Sequence, residues 1–387
     1  MANTGFLQTV RREVRRMCSR KMYIAGMVFV PVMMLLFFVS LLGPGLPLKV
    51  PSAIVDNDHS TMSRQVIRSL NASELIDITE YCESYDQAMD KIRRGEVFGF
   101  FVIPPDFEKD VVSGRTPTLE YYNNLTYFVP GTLTFKGFKT IAVTVSGGVA
   151  KSMIVSVGAD DNTASALLQP MVFDPHPMGN PWLSYAIYLC PTFMICLLGL
   201  MIYLMTTFAI TMEIKNGTSP DWIAAARGHM SVAITGKLLP HFVVWSVVGQ
   251  LILAVLFGFE HFPCSHPLTM MVAMELFIIA CQGYALFFVS LVPNPRLAFT
   301  ICALTGILTF SVAGLSFPVQ EMYGAVGIFS YLLPPRYMIL IYFFSALNDF
   351  PLYYSRLYFA ALIIFPLLPA MLMGRLKRAC LQPVYVP

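Results

Sequence analysis

Three groups of residues could carry chemistry. The first is Glu275 in MVAMELFIIACQGY, with Gln282 seven positions on and His241 and Gln250 in a neighbouring apolar run. Ionisable groups inside apolar runs are expensive and ordinarily face a bundle interior or a cavity. The seven-residue spacing puts Glu275 and Gln282 on one helical face. They line a path or lock a dimer seam, or else Glu275 lies near enough to one end to be hydrated. The second group is Asp56, Asp58 and His59 in IVDNDHS. These are metal-ligand types, but acids directly after a strand are more often turn formers and caps. The third is EIKNGTSPDW, Glu213 to Trp222, a polar stretch with an apolar run on each side. Its Ser219-Pro220-Asp221 reads as a helix start: a cap, a proline at the first helical position and an acid in the first turn. Two turns later Gly228 can end that helix. It either eases a turn between spans or offers a knob to a partner.

Other chemistries lack their residues. The string AITGKLL has Leu after its Lys and no Gly five positions before Gly236, so it is not a GxxxxGK[ST] phosphate loop. There is no HExxH, no GxSxG and no cluster of acids, which argues against a polytopic membrane enzyme. The eight cysteines show no CxxC and no Cys/His grouping, so neither a disulfide scaffold nor a zinc site is expected. A single Cys82–Cys264 bond stays open.

What must position these residues is a membrane protein. The 387 residues are 56% hydrophobic and 13% charged, with a mean hydropathy of +0.63. An ordinary soluble domain carries roughly 25% charge. The net charge of +3 gives no nucleic-acid footprint. A bilayer core needs about 20 apolar residues in a helix. The run from Met22 follows the basic RREVRRMCSRK and is too long for the core of a signal peptide, so it reads as an uncleaved anchor. Further runs are Trp182–Met212, Leu238–Phe259, Pro267–Val292, Leu297–Gly314 and Leu352–Gly374, with a shorter apolar segment at Tyr337–Leu347. The fold class expected is a polytopic α-helical membrane protein of six transmembrane helices with an inserted extracytoplasmic α/β domain.

Basic residues set the direction. Arg11, Arg12, Arg15, Arg16, Arg20 and Lys21 precede the first span, Lys215, Arg227 and Lys237 follow the second, Arg296 lies in the next even turn, and Arg375, Lys377 and Arg378 follow the last. Both termini and the Glu213 stretch are therefore expected in the cytoplasm. The boundaries read as 1–21, a basic interfacial helix; 22–42, the first span; 43–181, the outside domain with a long return helix; 182–374, five spans with a polar segment at 213–237 and a Gly/Pro-broken outer segment at 315–347; and 375–387, a tail. In the outside domain VPSAIV, LIDITEY, VFGFFVI and TLEYY read as strands. Ser60 caps a helix burying Met62, Val66, Ile67 and Leu70, and Ser84 with Gln87 has capping-box spacing. PPDFEKDVV reads as a short helix. Val129–Gly158 reads as a long helix whose Lys136, Lys139 and Lys151 argue against a span. Arg336, after two prolines, is expected to snorkel at the outer interface.

These motifs in this order resemble the permease subunit of a type 2 ABC exporter with a large extracytoplasmic domain between its first two spans. Glu213-x-x-x-Gly217-Thr218, a short helix and Gly236-Lys237 resemble its coupling segment. AIVDND, GEVFGFFVIPPDFEKDVVSG and YYNN resemble its outer domain, and AGLSFPVQEM with YLLPPRYMI its re-entrant pair. Ser219-Pro220-Asp221 and PPRYMI are variants of the usual patterns. The resemblance implies that Glu213, Gly217, Thr218, Asp221, Trp222 and Arg227 couple to an ATPase. It implies that Arg11, Arg12, Arg15 and Arg16 belong to the interfacial helix, and that Phe317, Pro318, Pro334 and Pro335 form an outer gate. It implies no enzyme activity and no cofactor on this chain, ATP and Mg being bound by separate cytoplasmic ATPase subunits. A second permease copy or sister permease, membrane lipid and a periplasmic adaptor are the other partners implied, in a bacterial cytoplasmic (inner) membrane. The competing reading is a membrane receptor or scaffold with an extracytoplasmic ligand-binding domain.

Overall fold

The computed structural model describes residues 2–43, 45–158, 160–168, 176, 178–181, 183–315 and 317–382. Trp182, where the second span was expected to begin, and residues 383–387 of the expected tail lie outside the described residues. The chain forms two compact units, Met1–Gly45 with His176–Pro387, and Leu46–Pro175.

The first unit begins with helix α1, Ala2–Ser19. Arg20 then takes an extended conformation (φ −114°, ψ 110°), which breaks the helix before α2, Lys21–Leu42. A π-type turn at Ala25–Phe29 leads into Pro31. A proline inside a helix has no N–H to donate and crowds the carbonyl four residues back, and a wider turn there relieves both.

The second unit is a four-stranded sheet with helices. Strands β1 (Val50–Asp56), β2 (Ile76–Cys82), β3 (Gly99–Ile103) and β4 (Glu120–Asn123) lie in the order β2-β1-β3-β4, the first three mutually parallel and β4 antiparallel to β3. All four match strands legible in the sequence. Helix α3, Thr61–Ala72, starts at Ser60, whose hydroxyl accepts from the Ser63 N–H at 3.0 Å. It buries Val66, Ile67 and Leu70 against Ile54 and Phe101. Helix α4, Tyr85–Arg93, is capped by Ser84, while Gln87 Oε1 accepts from the Glu83 N–H at 2.9 Å. Helix α5 covers Phe107–Val112. The Asp56 carboxylate accepts from the N–H groups of Asp58 and His59 and from the Ser63 hydroxyl, and Asp58 accepts from the Glu108 N–H. Both acids are thus engaged in turns and caps.

Helix α6, Phe128–Ser156, follows, then α7, Asp161–Leu168. By length and composition α6 qualifies as a membrane-crossing helix, so the described residues hold seven candidate spans, or eight if the bent pair Gly324–Ser330 and Pro334–Leu347 is one, against the six expected. Its three lysines are outweighed by its apolar residues. Its first turns are spent inside this unit, with Leu133, Thr134, Gly137 and Phe138 buried. A Cβ at Gly137 would stand 2.6 Å from Ile76 Cδ1.

The chain then completes the first unit. Helix α8, Tyr185–Lys215, is largely buried among α2, α10 (Met230–Phe259), α11 (Pro267–Leu291) and α12 (Pro295–Val312). The short α9, Ser219–Ala225, lies between α8 and α10 in sequence. Small residues let these helices approach where hydrocarbon supplies no hydrophobic drive. A Cβ at Gly283 on α11 would fall 2.5 Å from Pro366. After α12, helices α13 (Gly324–Ser330) and α14 (Pro334–Leu347) form a pair bent by 78°, broken where Pro334 and Pro335 begin the second. Helix α15, Leu352–Ile364, tightens into a 3-10 stretch at Phe365–Leu372, which holds Pro366 and Pro369, and emerges as α16, Met373–Leu381. The expected tail is therefore helical through Leu381. All eight cysteines, Cys82 and Cys264 included, are free thiols.

Candidate functional site

At one end of the first unit, α1, α8, α9, α10 and α16 converge on two adjoining clusters, one charged and one apolar. Glu213, at the end of α8, is fully buried. Arg12 donates to both its carboxylate oxygens, at 2.6 and 2.9 Å, and Arg16 pairs with Oε1. Lys237 Nζ reaches Glu213 at 2.9 Å and Glu13 at 2.5 Å, and the second Glu13 oxygen lies 2.9 Å from His241 Nε2. The Thr218 hydroxyl also donates to Glu213. Glu13, Lys237 and His241 are at most 1% exposed.

Periodicity explains the assembly. On α1 the residues Gly5, Thr9, Arg12, Glu13 and Arg16 recur at helical spacing and make one face. Lys237 and His241 are four apart on α10 and meet that face together. Gly236 admits the close approach, since a Cβ there would stand 2.9 Å from the Thr9 side chain. Burial pushes the Glu13 carboxyl up, but the hydrogen bond with His241 and the Lys237 charge outweigh it and hold Glu13 below the ordinary carboxylate value. Two carboxylates face three cations, and among the described residues Arg16 Nε and Nη2 have no partner. Desolvation cancels much of the attraction in such a buried network. Removing one partner costs about 3–5 kcal/mol, because the others remain charged and out of water.

The apolar cluster lies alongside. Trp222 and Ile223 of α9 are buried with Ile214, Leu286, Leu376 and Cys380. The Trp222 indole donates to the Ala233 carbonyl at 3.1 Å, and Lys237 Nζ sits 5.1 Å above its ring. Ser219 is the first helical residue rather than the cap, which is Thr218, because the Ser219 hydroxyl donates to the Cys380 carbonyl at 2.8 Å. The start of α1 touches the end of α9, where a Cβ at Gly5 would meet the Ala225 carbonyl at 3.4 Å. A φ of 67° at Gly217 and 80° at Gly228 turns the chain on either side of α9.

The residues proposed from sequence therefore separate. Glu213 and Trp222 point inward, and Thr218 is half-buried. Gly217, Asp221 and Arg227 are exposed. Arg12 and Arg16 turn to Glu213, whereas Arg11 and Arg15 are exposed. Glu275 accepts from Ser246 at 2.7 Å and Gln250 at 2.6 Å, while Gln282 donates to the Leu238 carbonyl at 3.4 Å. Their shared face thus meets α10 of the same chain. Phe317 and Pro318 are exposed, and Pro334 and Pro335 are buried. Arg336 is 5% exposed and does not snorkel. It donates to the Ala313 carbonyl at 3.3 Å and Ser330 Oγ at 3.1 Å, and stacks 4.6 Å from the Tyr331 ring.

Glu13 was not singled out from sequence, Lys237 entered only as a basic residue at the end of the coupling segment, and His241 only as a polar residue in an apolar run. The signal was available. Glu13 is the only acid in a basic helix, and Lys237 and His241 share one face of an apolar run.

Residues 21–373 match the model of the family described as ABC-2 family transporter protein. No curated protein matches the sequence. The matched region starts at the first residue of α2, so α1, with Arg12, Glu13 and Arg16, lies outside it.

Proposed function

Because the chain belongs to the ABC-2 transporter family, a family of membrane transport components, we propose that it is the permease subunit of an ATP-driven exporter in a bacterial cytoplasmic membrane. Both termini are cytoplasmic, and residues 43–181 lie on the far side. Two permease copies, or this chain and a sister permease, enclose the path, and separate ATPase subunits bind ATP and Mg. A periplasmic adaptor receives substrate from the outer unit. The basic residues on the turns assigned to the cytoplasm support this orientation.

The observation that carries the reading is the buried cluster around Glu213. It ties α1 to the ends of α8 and α10, and α9 is held among α1, α10 and α16. A displacement of α9 or α1 by a partner is then transmitted to the spans, because the charges cannot separate without being left unpaired in a low dielectric. Glu213 and Trp222 act as positioning residues. Asp221 and Ala224 of α9, with Arg227 just after it, are exposed and form the contact surface. Phe317, Pro318 and the bent α13–α14 pair form the outer gate.

The test is to purify the tagged protein from its own membrane and identify stoichiometric partners by mass spectrometry. A P-loop ATPase should accompany the wild type and fall at least several-fold in a D221A/R227A variant that retains its melting temperature. Absence of any ATPase from the wild-type sample would sink the exporter reading.

A further inference from the structure

Glu275 carries a charge that no other group of the first unit answers. It is the ninth of the 25 residues of α11, a helix long and apolar enough to cross a membrane. At 1.5 Å per residue it stands about 12 Å from the start of that helix, away from either end. Its Oε1 accepts from the Ser246 hydroxyl at 2.7 Å and from the Gln250 amide at 2.6 Å. Contacts this short are those of donors to an ionised oxygen. Gln250 is held in place by a second bond, from its amide to the Met271 carbonyl at 3.1 Å. Both donors are neutral, however. Oε2 has no hydrogen bond, and no lysine, arginine or histidine pairs with Glu275 among the described residues. Ionisable groups within a membrane helix ordinarily pair with one another or face a cavity.

The group also opens to the outside of the bundle. Glu275 is half-buried, as are Ser246 and Gln250. On α11, Met271 and Ile279 lie one turn to either side of it. On α10, Val243 and Val247 precede Ser246 and Gln250 by three positions. Helical spacing sets these four beside the polar group, and they are 37–66% exposed. The rim of the carboxylate is therefore apolar on both helices. A rim of this kind suits the apolar body of a molecule dissolved in the bilayer, and the carboxylate selects the sign of its charge. A bare metal cation is a poor match. Hard cations take six or more oxygen ligands, and among the described residues no group of three or more His, Cys, Asp or Glu is gathered for a metal. A bulky organic cation needs proximity instead of many ligands, because the attraction between charges in a low dielectric extends over several ångström.

We infer that Glu275, with Ser246 and Gln250, is a binding site for a lipophilic organic cation that reaches the gap between α10 and α11 from the bilayer. This assignment goes beyond the transport reading and does not rest on it. Glu275 supplies the charge. Ser246 and Gln250 keep the carboxylate ionised and fix its direction. Val243, Val247, Met271 and Ile279 receive the apolar body.

The experiment uses the full-length protein in a neutral detergent and two probes of one shape and opposite charge, tetraphenylphosphonium and tetraphenylborate. Bound probe is read by equilibrium dialysis. The wild type should bind the phosphonium in preference. An E275Q variant, which keeps the acceptor for Ser246 and Gln250, should bind it roughly tenfold or more weakly. An E275D variant keeps the charge and should stay within a few-fold of wild type. An E83Q variant removes the same charge from an exposed position of the other unit and should behave as wild type. Equal binding of the two probes by the wild type would overturn the inference, as would equal loss in E275Q and E275D or in E275Q and E83Q. So would unchanged phosphonium binding in E275Q together with a loss of self-association, measured by light scattering, which would assign the face to a second copy of the chain. Melting temperature checks that each variant is folded. Because the readout needs no ATPase, its failure is separable from failure of the transport reading.

Discussion

Glu213 and Glu275 are both carboxylates on long apolar helices of the same unit, and they meet opposite surroundings. Glu213 faces Arg12, Arg16 and Lys237. Glu275 has no cation among the described residues, and its Oε1 takes hydroxyl and amide hydrogens from Ser246 and Gln250 while Oε2 has no partner. The first is a joint. Its charged partners come from two other helices, α1 and α10, and Arg12 lies 201 positions away in sequence. The second is a local tie between two neighbouring helices. A carboxylate in a membrane helix thus has no fixed meaning, and the charges brought against it decide what it holds together.

The largest effect that should separate the two sites is at Lys237. Lys237→Met leaves Glu13 and Glu213 short of a shared cation and should destabilise the detergent-solubilised protein by about 3–5 kcal/mol, seen as a large fall in melting temperature. A second change, Glu13→Gln, should restore part of the loss, because it removes one of the stranded charges. No restoration would mean that Lys237 acts by packing over Trp222 rather than by charge.

Acid should act next, at the Glu213 cluster. The folded value of Glu13 lies below its ordinary value of 4.5, so its carboxylate stabilises the docked α1 above that value. The contribution is lost as pH falls through the depressed folded value. A spin label on the exposed Cys18 should be steady in mobility from neutral pH down to the ordinary carboxylate range, then loosen below it. Loosening near neutrality would assign the release to another group.

Smaller effects follow at the second site. Glu275→Gln keeps acceptor capacity for Ser246 and Gln250 and should change stability by about 1 kcal/mol or less. A change as large as that of Lys237→Met would reveal a charged partner and erase the contrast. At the exposed Arg11, Arg11→Gln should leave the melting temperature nearly unchanged, within about 0.5 kcal/mol.

Much of this fold was legible because its signals are local. The four strands and the caps at Ser60 and Ser84 depend on residues a few positions apart. The Glu213 stretch was also legible as a candidate site, because a polar break with a helix start is conspicuous between apolar runs. The direction of its side chains was not. The resemblance implies that Trp222 couples to an ATPase, yet α10 and α16 enclose its side chain. The expected tail hid α16, since a basic amphipathic segment of nine residues looks like solvent-facing chain until Leu376 and Cys380 find a surface. Arg336 was misplaced for a similar reason. The carbonyl of Ala313 and the Tyr331 ring that receive it come from the end of α12 and the bend before α14.

The sequence by itself determined that this is a membrane protein, where most of its apolar helices run, and that a sheet-bearing unit interrupts them. Those properties follow from composition and from periods of two and 3.6 residues, which need no distant partner. Only the tertiary structure decided that Arg12 and Arg16 serve Glu213 while Arg11 and Arg15 stay free, and that Glu13 and Lys237, 224 positions apart, share one buried network. All four arginines have the same chemistry. Which of them is desolvated depends on the face that a neighbouring helix covers, and that face is chosen by packing rather than by the residues' own propensities.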